Sequence, residues 1–91
     1  MSVKWQVAPD VLSSKIDEEV VLMSIETGYY FVLDKVGSTI WEHLAKNSAT
    51  LEELVTKLVG EYDIDQETCS SDVKIFIDEL ISRTLVVKVQ D

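Results

Sequence analysis

The hydrophobic period of this chain changes once, and that change is its strongest constraint. Up to Leu33 the apolar residues come in short β-branched and aromatic runs; from Asp34 onward they recur at helical spacing. Strands first and helices after describe an α+β fold whose strands make their own antiparallel sheet. At 91 residues the chain is expected to be a single domain, 1–91.

Val11 to Ile16 reads as a strand, and Asp17 and Glu18 suit a turn. Val20 to Leu33 reads as a hairpin: an apolar run to Ile25, a connection through Glu26, Thr27 and Gly28, then the aromatic run Tyr29 to Leu33. Gly28 is the residue that takes positive φ there at no steric cost. A short apolar lead (Val3, Trp5, Val7) precedes the only proline-based turn, Pro9-Asp10.

Asp34 is the expected N-cap of a first helix carrying Val36, Ile40, Trp41, Leu44 and Ala45, ended by Asn47 and Ser48. Thr50 and Glu53 form a capping box ahead of the stripe Leu51, Leu54, Val55, Leu58, Val59 and Tyr62. Asp65 is the expected cap of a third helix with Cys69, Val73, Phe76, Ile77, Leu80 and Ile81 on one face, and Ile75 off that stripe. Leu85 to Val89 reads as a closing strand. An N-terminal antiparallel three-stranded sheet, three helices and a short C-terminal strand resemble a winged helix-turn-helix.

Charge narrows the functions. Seventeen acidic and eight basic residues leave a net charge of -9, which repels phosphate backbones and anionic lipid. The third helix, which would read DNA in such a fold, carries Glu67, Asp72, Asp78 and Glu79 against Lys74 and Arg83. Nucleic acid and membrane are therefore not expected partners, although a winged-helix regulator is the competing reading. No apolar run approaches the ~18 residues of a membrane span, and the N-terminus has no signal-peptide layout, so the expected compartment is the cytoplasm.

Catalytic and metal chemistry find little support. Asp63, Asp65 and Glu67 imitate the start of a calcium loop, but Thr68 stands where glycine is needed and Lys74 where the bidentate glutamate belongs. His43 has no second histidine to share a zinc ion with. Cys69 lies on a helical apolar stripe near Glu67 and Asp72, which disfavour a thiolate. No glycine-rich phosphate loop exists. The expectation is no catalytic residue, no metal site and no cofactor.

The aromatic strand is the informative element. Between Gly28 and Leu33 it holds neither proline nor charge, the usual guards of a sheet edge. Tyr29, Phe31 and Leu33 share one face, Tyr30 and Val32 the other, and both faces are apolar or aromatic. Two readings follow from the residues: a central strand inside the core, or an open edge that accepts a foreign strand. The second face would be covered by the lead around Trp5 or by a partner.

The run from Leu22 to Trp41, with Thr27-Gly28-Tyr29-Tyr30-Phe31 on the hairpin and Gly37 and Ile40-Trp41 on the first helix, resembles the PqqD family. Asp72-Val73, Phe76-Ile77 and Leu80 resemble its third-helix signature, and the likeness spans about Val11 to Val89. The resemblance implies a non-catalytic recognition element that binds the leader segment of a ribosomally made precursor peptide. It also implies handover to a modifying enzyme: a cysteine-protease-like leader peptidase in lasso-peptide pathways, a radical enzyme in the pyrroloquinoline quinone pathway. Carried onto this chain, Gly28, Tyr29, Tyr30, Phe31, Val32 and Leu33 become the docking edge. Asp72, Ile75, Phe76 and Glu79 become the helix side of the groove, where either Ile75 or Phe76 supplies the apolar contact and the acidic pair suits a basic leader. The free protein is expected to be a monomer or weak homodimer.

Overall fold

The computed structural model describes residues 3–90; Met1, Ser2 and Asp91, the ends of the expected domain, lie outside the described residues. The elements run β1 (Val3–Val7), β2 (Val11–Ile16), β3 (Glu19–Ser24), β4 (Tyr30–Leu33), α1 (Lys35–Lys46), α2 (Leu51–Glu61), α3 (Gln66–Ser82) and β5 (Val86–Gln90). The fold is α+β, with β2-β3-β4 as an antiparallel three-stranded sheet.

The two turns of that sheet follow from local chemistry. Asp17 takes positive φ (57°) in the two-residue link between β2 and β3, a conformation aspartate tolerates better than most residues. Gly28 takes φ 76° between β3 and β4, and a Cβ there would meet nothing within 4 Å, so the backbone angle alone asks for glycine. Buried Ser24 closes the link: its carbonyl accepts from Gly28 N–H at 2.7 Å and its hydroxyl from Thr27 N–H at 3.3 Å.

Each helix starts on a side-chain cap. Asp34 accepts from Gly37 N–H at 2.7 Å, Thr50 and Glu53 close a capping box, and Asp65 accepts from Thr68 N–H at 3.1 Å. These bonds satisfy backbone donors that have no partner inside the helix. The hydrogen bond to Thr50 N–H, together with its hydroxyl, holds the Glu53 carboxyl below its ordinary value despite a smaller opposing effect of desolvation. Helix α3 ends with Thr84 at φ 61°, Thr84 N–H on Ile81 C=O and Leu85 N–H on Leu80 C=O. That is a Schellman ending with a β-branched residue where glycine is usual.

The apolar lead is a strand, not a cover for the hairpin. β1 pairs antiparallel with β5, Trp5 opposite Lys88, and Trp5 exchanges two backbone hydrogen bonds with Ala49 (2.8 and 3.0 Å). Its indole is buried among the core residues, with Trp41, Leu54, Leu58, Ile77 and Leu85 in the same cluster. Trp5 therefore does not shield the outer face of β4. Ala45, expected on the buried face of α1, is exposed.

Ser38 joins the sheet to α1. Its hydroxyl accepts from Val20 N–H at 2.8 Å and donates to Leu33 C=O at 3.2 Å, and it is 1% exposed. A polar group this deep is tolerable because both of its hydrogen-bonding functions are used.

Candidate functional site

β4 lies at one margin of its sheet, with β3 on one side and no described strand on the other. Its hydrogen-bond phase decides what that margin offers. Ser24 N–H donates to Tyr29 C=O, and Tyr29 stands opposite Ser24 when the printed register Met23–Tyr30, Leu22–Phe31 and Val20–Leu33 is extended by one residue. In an antiparallel ladder bonded pairs alternate, so Phe31 and Leu33 turn their backbone groups to β3, and Tyr30 and Val32 turn theirs outward. Their side chains are 70% and 65% exposed on the sheet's outer face. Gly28 and Tyr29 precede the strand and spend backbone groups on closing the hairpin.

Beside this margin runs a groove of about 550 Å³ between β4, the start of α1 and α3. Val32, Leu33 and Asp34 form one wall, Asp72, Val73 and Phe76 the other, and Val36, Gly37, Ile40, Leu58, Ile64 and Cys69 line the space between them. Gly37 lets the walls approach: an added Cβ would sit 3.0 Å from Phe76 Cζ and 3.1 Å from Asp34 Oδ1. Burial, with a smaller contribution from the Asp72 charge, pushes the Cys69 thiol above its ordinary value, so it lines the groove as a small apolar group.

The walls run in opposite directions. Phe76 meets Gly37 at the end where β4 finishes, and Arg83 lies over the Phe31 ring, 5.1 Å from its centroid, toward the end where β4 begins. Arg83 also pairs with Glu79 at 3.2 Å. The sequence reading missed Arg83, although its position four residues after Glu79 is a helical pairing signal. It also missed Gly37, Ile40, Leu58 and Val73 as groove residues, because an apolar stripe at helical spacing reads as core.

Of the expected site residues, Val32, Leu33, Asp72 and Phe76 come together around one groove; Phe31 and Glu79 do not line it and instead meet Arg83. Ile75 does not. It is 65% exposed and lines a separate depression with Leu51, Gln66, Ser71 and Lys74. One residue on a helix turns a side chain by about 100°, and Phe76 holds the groove-facing position. Among the described residues no group of His, Cys, Asp or Glu is arranged to hold a metal ion, and no helix is long and apolar enough to cross a membrane.

A small α+β domain with a bare strand margin beside a helix-walled groove is the class that this architecture defines. The family model for coenzyme PQQ synthesis protein D (PqqD) matches residues 19–86, and the chain belongs to that family. The structure of TbiB1 in complex with the TbiA(beta) leader peptide is 37% identical, with a TM-score of 0.87, covering 94% of this chain and 99% of that one. Lasso peptide synthetase B1 complexed with the leader peptide superposes with a TM-score of 0.81 at 17% identity, over 91% of this chain and 96% of that one, a likeness of fold alone. A comparison with curated proteins gives no match.

Proposed function

We propose that this protein is a non-catalytic leader-peptide recognition element. It binds the leader segment of a ribosomally made precursor by adding the segment to β4, and it delivers the precursor to a processing enzyme. The observation that carries the reading is the outward backbone of Tyr30 and Val32 alongside an apolar groove. An incoming strand gains backbone hydrogen bonds from the margin, and its alternate side chains find the groove. The relative 37% identical to this chain was solved with a leader peptide, which supports the same class of ligand here.

The processing enzyme is a cysteine-protease-like leader peptidase or a radical enzyme, and the encounter takes place in the cytoplasm, where the precursor is made. Recognition raises the precursor's local concentration at that enzyme, which requires no chemistry from the recognition protein. Ordering a flexible leader costs conformational entropy, so moderate affinity is expected. A net charge of -9 favours a monomer or weak homodimer in the free state.

The test is a calorimetric titration with the TbiA(beta) leader, the peptide in the 37% identical structure, and with the leader of any short precursor found in the reading frames adjacent to this one. At least one should bind the wild type, and Tyr30→Pro should weaken binding while the circular dichroism spectrum and unfolding midpoint stay close to wild type. Proline there removes an outward donor and no rung of the β3–β4 ladder. Unchanged affinity in a folded Tyr30→Pro variant overturns strand addition at β4.

A further inference from the structure

We infer that the groove is electrostatically polarised and selects segments carrying a cationic side chain on the N-terminal side of the residues that pair with β4, with Asp72 as the group that reads it. The inference rests on the proposed function and names the ligand chemistry of the same site.

Three carboxylates border the groove or continue its helix wall, and two are already engaged. Asp34 caps α1 through Gly37 N–H at 2.7 Å. Glu79 is held by Arg83 at 3.2 Å, and the same guanidinium covers Phe31. Asp72 lies on the groove wall, exposed, with no hydrogen bond or ion pair among the described residues. The two ends therefore differ in charge. Where β4 begins, the Glu79–Arg83 pair is internally compensated. Where β4 ends, Asp72 faces the groove uncompensated, close to the capping carboxylate of Asp34.

An antiparallel incoming strand, the better-bonded arrangement, runs its N-terminal part past the end of β4. The side chain arriving beside Asp72 belongs to that part. A lysine or arginine there meets an unpaired carboxylate, whereas a glutamate meets two like charges. Apolar residues of the same segment fill the space over Ile40, Val73 and Phe76. Charge at this one place thus fixes the register of the antiparallel segment, which the uniform hydrogen bonding of a strand margin leaves open.

The experiment uses a phage-displayed library of random peptides selected on the wild-type protein. Peptides that lose binding to Tyr30→Pro are retained and aligned. Expected is an enrichment of Lys or Arg at one position N-terminal to the apolar anchors. For a synthetic consensus peptide, Lys should outbind Glu at that position on the order of fivefold at low salt. The ratio should drop clearly in Asp72→Asn, which leaves only the capping charge of Asp34, and fall further in Asp72→Lys. An equal Lys/Glu ratio in wild type and Asp72→Asn, with binding still sensitive to Tyr30→Pro, overturns this inference and leaves leader recognition standing. Selected peptides that all bind Tyr30→Pro as well as wild type overturn the docking margin itself.

Discussion

The three-stranded sheet has two margins, and they are not alike. At β4, Tyr30 and Val32 present backbone groups with no charge between Gly28 and Leu33, and an apolar groove runs alongside. At β2, the backbone bond from Ile25 N–H to Asp10 C=O sets the opposite phase, so Val11, Ser13 and Lys15 face outward. That margin is guarded. Lys15 reaches across to Glu42 at 3.4 Å, and the adjoining recess of about 280 Å³ is rimmed by Lys15, Glu42 and Lys46. An open backbone is common to both, whereas the space beside β4 is a larger apolar groove and the recess beside β2 is rimmed by charges. The two margins thus differ in what stands beside the ladder and not in the ladder itself, and charges guard the β2 edge against unwanted pairing.

The comparison breaks most visibly under proline. Val32→Pro and Ser13→Pro each remove one outward donor from one margin. Val32→Pro should weaken peptide binding on the order of a hundredfold by losing the bond and inserting a ring into the path of the new strand. Ser13→Pro should leave affinity within about twofold. Equal losses, read by calorimetry, would erase the distinction between the margins.

Ser38→Ala sharpens it in stability. Removing the hydroxyl leaves Val20 N–H and Leu33 C=O buried without their partner, at a cost of about 1–3 kcal/mol in urea unfolding. Amide exchange should accelerate at Val20 and along β4, with the β2 margin less affected; uniform acceleration would deny a local role. Thr84→Gly should move the other way, stabilising the fold on the order of 1 kcal/mol by relieving a left-handed β-branched residue. Peptide affinity should stay unchanged, separating folding from docking. The smallest effect belongs to Cys69. Its thiol pKa is raised in the fold, so the unfolded chain ionises first; stability is full below the unfolded thiol's pKa and declines as pH rises from there to the folded value. Cys69→Ser should lack that alkaline decline, checked by urea midpoints across the range.

Most of the architecture was legible because it is local. Asp34, Thr50 and Asp65 cap helices through bonds three residues away, and Gly28 turns a hairpin between adjoining strands. β1 was not legible as a paired strand because its partner β5 lies at the other end of the chain, and nothing in five residues of lead announces so distant a pairing. The site divides in the same way. Tyr29 to Leu33 could be singled out by missing guards, but which backbone groups face outward depends on the phase set at Ser24 and Tyr29. Phe76 and Ile75 are neighbours in sequence, and the packing of α3 on Gly37 separates them.

Ser38 has a mechanical consequence. Force on any strand added to β4 would load it along its length, and a lone marginal strand would peel away from its neighbour. The hydroxyl between Val20 and Leu33 rivets the far end of that strand to the helical body, so traction spreads into α1 instead of unzipping the hairpin. An added strand should slip from the margin before the fold itself gives way.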